Sequence, residues 1–410
     1  MTFNDNLKKY AKLIIEKCLN IKEGDFLVIR GQAENREFIN LLTETAFMSG
    51  ARDVKVNYRD EVFSKIRYKY ASLDTVSEVP EHFIMEQNFY MDKSAKFLSL
   101  TGEDPNLLKD IPADKIKAST IAFSKALKDF NNRMMNSENS WCVAGAAVPS
   151  WAKTVFPDLD EKEATLKLWE LIFYTSRADL EDPVAAWEKH TYTLKRHSKF
   201  LNQHQFDYFI IKSDNGTNLK VGMPKNYIFE GASEYDSHGN EFIANIPTEE
   251  VFSLPHKDRI DGIVYNTKPL NYNGALIDDF YLRFKDGQVV DFDATIGYEV
   301  LKNLLETDEG SKSLGEIAFV PYDSPISNTG ILFYNTLYDE NASCHIALGK
   351  AYPTCLKGGE DMDVESLKKE GANDSLIHVD FMIGDKTTNV IGVKDNGEKI
   401  DIFKDGNFAF

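Results

Sequence analysis

An apolar segment near the C-terminus carries one imidazole and one carboxylate two positions apart. Residues 376–383 (LIHVDFMI) alternate like a strand, and period 2 places His378 and Asp380 on one face. If that face is buried, both groups lose hydration that a strong partner must replace. A divalent metal is one such partner, since His nitrogen and Asp oxygen are ordinary metal ligands. The alternative is that His378 and Asp380 hydrogen-bond to each other and serve packing alone.

Further carboxylates stand at the entries to other apolar segments. Glu316 precedes the apolar run 317–320, and Glu249 and Glu250 follow Pro247. Adjacent residues of an extended segment face opposite ways, so we expect only one of Glu249 and Glu250 to point inward. Taken singly, each acid fits a solvated strand end better than a ligand.

A fourth segment combines an acid, an imidazole and a phenol. A helix is predicted to start near Asn341 and to stop at Gly349, which places Glu340 at its N-terminal edge and His345 on its second turn. Tyr352 follows three residues after the glycine. Acids and imidazoles therefore stand on four separate elements of the C-terminal half.

Two domains that differ in secondary structure are predicted to carry these elements. Residues 1–200 read as an open α/β domain, and residues 201–410 as a mainly antiparallel β domain with a few helices that binds metal. The elements expected in the first domain are a helix at 6–19, a βαβ unit at 26–29, 35–48 and 53–56, strands at 97–100 and 120–123, and helices over 159–204. The hairpins expected in the second have turns at 214–216, 285–287 and 395–397.

Composition and motifs exclude several function classes. The 410 residues are 42% hydrophobic and carry a net charge of −18, a sign that repels nucleic acids and acidic membranes. The polar N-terminus and the absence of a long apolar run predict a cytoplasmic protein, and four scattered cysteines predict no disulfide framework. The sequence has no G-x-G-x-x-G, G-x-x-x-x-G-K-[ST], G-x-S-x-G or H-E-x-x-H motif.

Taken together and in order, four segments resemble the thermophilic metalloaminopeptidases of peptidase family M29. They are 246–252 (IPTEEVF), 315–316 (GE), 340–352 (ENASCHIALGKAY) and 377–384 (IHVDFMIG). The likeness covers essentially the whole chain. It implies two divalent ions per subunit, bridged by Glu316, with Tyr352 beside them. The ligands that it implies are Glu250, Glu316, Glu340, His345, His378 and Asp380.

The resemblance also implies hydrolysis of the N-terminal peptide bond of short peptides by a homodimer. Four carboxylates and two imidazoles exceed the needs of one zinc but suit two ions about 3.5 to 4 Å apart, whose bridging water becomes the nucleophile. Cobalt, zinc, manganese and magnesium all remain open. Glu249 is the candidate proton shuttle, Tyr352 the candidate oxyanion donor, and His256 a candidate for lining the substrate entrance.

Two other functions stay open: another dinuclear hydrolase such as a phosphoesterase, and a non-catalytic metal-binding protein. The histidines of the N-terminal half and the helical junction are expected on solvated faces, because they lie among Lys, Glu and Gln. These are His82, His190, His197 and His204.

Overall fold

The computed structural model describes residues 2–108, 110–272 and 275–410. The chain divides into two compact units, of which the first comprises Met1–Glu188 and Ser233–Pro247 and the second Lys189–Ala232 and Thr248–Phe410. The predicted division after residue 200 falls inside a long helix that begins at Pro183. In the described part of the chain, no helix combines the length and apolar character that crossing a bilayer requires.

The helices are concentrated in the first 204 residues. A π-helical turn, Leu13–Cys18, continues the first helix. In chain order the helices are α1 (Phe3–Lys12), α2 (Arg36–Met48), α3 (Glu61–Tyr70), α4 (Leu73–Val76), α5 (Glu81–Asp92), α6 (Ala113–Ala126), α7 (Lys128–Met135), α8 (Pro149–Val155), α9 (Glu161–Thr175), α10 (Pro183–His204), α11 (Tyr298–Leu305), α12 (Pro325–Asn328), α13 (Thr336–Asp339) and α14 (Val364–Lys369).

The strands are concentrated in the second half. In chain order they are β1 (Phe26–Gln32), β2 (Asp53–Arg59), β3 (Lys96–Thr101), β4 (Trp141–Gly145), β5 (Tyr208–Lys212), β6 (Asn218–Gly222), β7 (Glu230–Gly231), β8 (Glu234–Tyr235), β9 (Glu241–Phe242), β10 (Asn245–Ile246), β11 (Val251–Ser253), β12 (Ile260–Tyr265), β13 (Leu270–Tyr272), β14 (Ala275–Lys285), β15 (Gln288–Ile296), β16 (Leu314–Phe319), β17 (His345–Gly349), β18 (His378–Met382), β19 (Asn389–Val393), β20 (Lys399–Lys404) and β21 (Asn407–Phe408). Short 3-10 turns include Glu340–Ala342.

The first unit is built on a parallel sheet with the strand order β10-β4-β3-β1-β2. β1 and β2 pair in parallel on either side of α2, which confirms the predicted βαβ unit. The predicted strand at 120–123 is wrong, because these residues lie inside the helix α6. The run Thr-Ile-Ala-Phe resembles a strand, but the surrounding helix formers, among them Lys115, Lys117 and Ala118, extend the helix through it.

The second unit consists of two antiparallel sheets that share one hydrophobic core. The larger sheet runs β13-β14-β12-β6-β5-β19-β20-β21, with β15 paired to β14, and the smaller runs β18-β17-β16-β11-β7. Aromatic pairs join the sheets, with ring centroids 5.1 Å apart for Phe209 and Phe319 and 5.3 Å for Phe280 and Phe381. The predicted mixed α/β fold with a mainly antiparallel second domain is confirmed.

The helix predicted from Asn341 to Gly349 is wrong. The structure has a 3-10 turn followed by the strand β17, which pairs with β16 on one side and β18 on the other. All five residues of β17 are buried. A short apolar run between a cap-like asparagine and a glycine suits both a helix and a central strand, and here pairing with two neighbouring strands decides for the strand.

Candidate metal centre

Three neighbouring strands of the smaller sheet align two carboxylates across one small residue. Glu316 on β16 is the Cα partner of Ala347 on β17, and Ala347 is the partner of Asp380 on β18. Directly opposed residues of antiparallel strands share a face, so both carboxylates project from the same face on either side of a methyl group. The small alanine leaves the space between them open.

The imidazoles occupy the flanking rows of that face. His345 aligns with Ala318 on β16 and with Met382 on β18, and His378 aligns with Gly349 on β17. The alternate residues of the same strands point into the hydrophobic core, where Ile317, Ile346 and Phe381 are 1% exposed or less. The period of 2 thus separates a polar ligand face from a core face on the same strands.

Glu316 lies at the middle of the cluster, and its two carboxylate oxygens face different imidazoles. Oε1 is 3.5 Å from His345 Nε2, and Oε2 is 3.4 Å from His378 Nε2. Two groups of possible ligand atoms, each within 4.8 Å, share this residue: one with Glu250 and His345, the other with His378 and Asp380. A carboxylate placed in this way is suited to bridging two cations.

Glu250 reaches the cluster from outside the three aligned strands, whereas Glu340 belongs to neither group of possible ligand atoms and interacts with the cluster through its charge. Glu250 immediately precedes β11, and its Oε2 is 3.1 Å from His345 Nε2. Glu340 opens the 3-10 turn before β17. Burial, followed by the charges of Asp380 and Glu250, raises the pKa of Glu340 well above its ordinary value. The carboxyl group of Glu340 is thus within electrostatic range of the other acids.

The two histidines are paired with carboxylates strongly enough to overcome their burial. Burial by itself would lower the pKa of His345, but hydrogen bonds with Glu250 and Glu316 raise it well above its ordinary value. The same balance raises the pKa of His378, with Asp380 contributing most. Burial also raises the pKa of Glu250, against the opposing effect of His345. Two imidazoles therefore do not neutralise four clustered carboxyl groups.

The donor set fits divalent cations. Asp380 Oδ1 is buried and accepts no hydrogen bond from the described residues, and His378 Nε2 lies 3.6 Å from it. A buried carboxylate oxygen that accepts no hydrogen bond is costly unless a nearby positive charge, such as a cation, neutralises it. Oxygen and imidazole ligands of this kind suit zinc, cobalt, manganese and, with more oxygen, magnesium.

Backbone carbonyls orient both imidazoles so that each could bind a cation. His378 Nδ1 is 2.6 Å from the carbonyl oxygen of Lys350, and His345 Nδ1 is 3.2 Å from that of Ser343. Because a carbonyl only accepts, each Nδ1 carries the hydrogen, and each Nε2 faces the carboxylates. An outer hydrogen bond of this type is the usual support of a metal-binding histidine.

Asn341, predicted only as the start of a helix, links two of the acidic segments. Its Oδ1 accepts the backbone N–H of Glu249 at 2.8 Å, and its Nδ2 donates to Leu337 O at 3.0 Å and to Glu340 Oε1 at 3.4 Å. The side chain is fully buried. The signal that could have found it is an amide side chain directly beside a candidate ligand, since an amide can bond both to a carboxylate and to backbone groups.

Replacing Asn341 by alanine is expected to weaken metal binding about 10- to 100-fold, since that is the usual cost of losing an outer partner of a ligand. The physical reason is that Glu340 and the segment before Glu250 lose their common support. Metal titration followed by calorimetry measures the change. Asn303→Ala, at an exposed position, is the control, and equal affinities in the two variants would contradict the role of Asn341.

The three remaining candidates lie at different places. Tyr352 is beside the cluster, with its ring centroid 5.0 Å from that of His378. Glu249 is 4% exposed, so it is not a solvated strand end. His256 is half-buried; its Nδ1 accepts the backbone N–H of Asp258 at 3.2 Å, and its ring lies against Gly371. Among the described residues, His256 forms no hydrogen bond or ion pair with the six predicted ligands.

Two of the histidines expected on solvated faces are shielded from solvent, His197 fully and His190 for the most part, so that expectation is wrong for them. The side chain of His190 is 11% exposed, and His197 is 8% exposed, stacked on Phe408 with burial lowering its pKa to about 4. Both lie on the buried stripe of α10 that Trp187, Leu194 and Leu201 define. Counting at spacings of three and four would have found them.

Known proteins resemble this chain over its full length. The profile of the family described as thermophilic metalloprotease (M29) matches residues 3–408. Aminopeptidase AmpS of Bacillus subtilis (strain 168) is 42% identical over 409 residues, 100% of both chains, and aminopeptidase T of Thermus aquaticus is 36% identical over 407 residues, 99% of both. The solved structure of wild-type AmpT from Thermus thermophilus, 35% identical, superposes with a TM-score of 0.94 over 100% of both chains.

Proposed function

The chain belongs to the thermophilic metalloprotease family M29 and is a metal-dependent aminopeptidase, and on this premise we propose that its second unit holds two divalent ions. The ligands proposed are Glu250, Glu316, Glu340, His345, His378 and Asp380. The observation that carries the proposal is the position of Glu316, whose two oxygens face two different imidazoles.

Held by these residues, divalent ions would polarise the scissile carbonyl, lower the pKa of a bound water towards neutrality and offer a position for a free α-amino group. Glu249 Oε2 takes the proton of the attacking water and delivers it to the leaving amine. Tyr352, a protonated phenol at neutral pH, donates a hydrogen bond to the oxygen that becomes negative during attack. Its place beside His378 supports that role.

The test is a chelator-stripped assay on one short peptide with a free N-terminus and on its N-acetylated counterpart. We expect stripping to abolish cleavage, and cobalt, zinc, manganese or magnesium added back singly to restore it. Metal analysis of the restored enzyme should give two ions per chain. The N-acetylated peptide should be cleaved at less than about one hundredth of the rate, because it lacks the amine ligand.

Equal cleavage of the acetylated and free peptides would refute the exopeptidase assignment. A stoichiometry of one ion per chain would refute the dinuclear centre and leave the aminopeptidase activity standing. His256 stays a candidate for the substrate entrance, and variants at His256 that change KM for longer peptides but not kcat would support it.

We also propose that the enzyme acts on short peptides in the cytoplasm as a homodimer. The support is the resemblance of the four ligand segments to the family. Light scattering of the purified protein is expected to give about twice the 46.6 kDa mass of the chain. A monomeric mass at assay concentration would refute the dimer.

A further inference from the structure

The Thr248–Glu249 peptide group is held at both of its polar atoms by side chains. The carbonyl oxygen of Thr248 is 2.8 Å from His190 Nε2, and the N–H of Glu249 donates to Asn341 Oδ1 at 2.8 Å. These two atoms belong to one planar unit, because the carbonyl of one residue and the amide of the next are rigidly joined. Holding both ends restricts the plane and, with it, the N–Cα bond from which Glu249 continues.

His190 comes from a distant part of the chain to make this contact. It lies on α10, 58 residues before Thr248. Because a carbonyl oxygen only accepts hydrogen bonds, His190 Nε2 must carry the hydrogen that is donated to Thr248. The same nitrogen is 3.6 Å from Glu249 Oε2.

The contact takes place out of water. The side chains of His190 and Glu249 are 11% and 4% exposed. An imidazole N–H beside a buried carboxylate restricts that carboxylate more strongly than solvent does, because the interaction is little screened. His190 therefore influences Glu249 in two ways: a hydrogen bond holds the peptide plane, and the ring packs beside the carboxylate, 3.6 Å from Oε2 and too far for a second hydrogen bond.

We propose that His190 is a positioning residue for aminopeptidase activity: it holds the Thr248–Glu249 peptide plane and the Glu249 carboxylate in the orientation required for proton transfer. The proposal rests on the proposed function, in which Glu249 carries the proton. His190 touches neither the six proposed ligands nor the substrate in this scheme, so it influences turnover rather than metal capture.

The test compares two replacements of His190. His190→Phe keeps a flat ring but has no donor, and we expect kcat to fall about 10- to 100-fold, since misplacing a catalytic group by about 1 Å costs on that order. His190→Gln can present its Nε2 amide hydrogen near the same point and should recover most of the loss. KM and the affinity for added cobalt or zinc should change less than about threefold in either variant.

Lys189→Ala, at an exposed position on the same helix, is the matched control and should retain full activity. Thermal melts of all three variants show whether they are folded. An unchanged kcat in folded His190→Phe would overturn the proposal. So would a His190→Gln variant as impaired as His190→Phe, or a loss of metal affinity that matches the loss of kcat, because each outcome points to packing or to Glu250 instead.

A double-mutant cycle locates the effect. In a Glu249→Gln background, His190→Phe should lower kcat by less than about twofold, because its target has already been removed. An undiminished effect there would overturn the proposal. If Glu249→Gln alone keeps full activity, the proton-carrier role and this proposal fail together, while metal-dependent cleavage by the unaltered protein still upholds the aminopeptidase function.

Discussion

Glu316→Gln is expected to remove measurable aminopeptidase activity and to lower the metal content below one ion per chain. Glutamine has the same shape but one oxygen and one amide nitrogen, so it cannot offer an anionic oxygen to each side of the cluster. Losing several kcal/mol of Lewis-acid stabilisation of the transition state corresponds to a fall of about 1,000-fold or more in kcat/KM. Steady-state kinetics and elemental analysis of the same preparation measure both effects.

The matched control is Glu299→Gln, which makes the same chemical change at an exposed residue of the second unit. This variant should bind metal and cleave peptide as the unaltered protein does. A Glu316→Gln variant that retains two ions per chain would show that this residue does not bridge the ions.

Ala347→Val is expected to weaken metal binding while leaving the protein folded. Ala347 lies directly between Glu316 and Asp380 on the ligand face, so two added carbon atoms enter the space between the carboxylates. Overpacking a buried site costs about 1 to 3 kcal/mol. If that cost falls on the ion-bound state, the affinity drops about 5- to 150-fold. Calorimetric titration with zinc or cobalt measures it.

Ala347→Ser is the control, because serine adds one oxygen atom where valine adds two carbon atoms, and a hydroxyl is compatible with a polar face. It should keep most of the affinity. If the valine variant binds two ions as tightly as the serine variant, the row from Glu316 to Asp380 is not the site of ion capture.

The strands of the ligand face could be predicted from sequence where the apolar alternation was unbroken. The segment around His378 and Asp380 reads as a strand and is one, β18. β17 could not be predicted in this way. The five apolar residues between Asn341 and Gly349 fit a helix as well as a strand, because Asn341 and Gly349 are typical helix-capping residues. What makes it a strand is pairing on both sides, which no local pattern contains.

That the proposed ligands lie close together was predicted from the resemblance to family M29 and not from the spacing of the residues. Glu250 and His345 are far apart in sequence, and only the sheet register brings their polar atoms to 3.1 Å. The supporting residues were harder still to predict. His190 was expected in solvent because its sequence neighbours are charged, yet it lies on the helical stripe from Trp187 to Leu201, and its side chain is only 11% exposed.

The strands that present carboxylates on one face carry the hydrophobic core on the other, so ion capture and folding are thermodynamically linked. Ligands that bind only the folded chain stabilise it by mass action, by about 2.7 kcal/mol at a hundredfold excess over Kd. Depletion of divalent cations would also leave mutually repelling carboxylates attached to core strands. A cell short of these cations is therefore expected to lose the protein to unfolding and proteolysis, in addition to losing its catalytic activity.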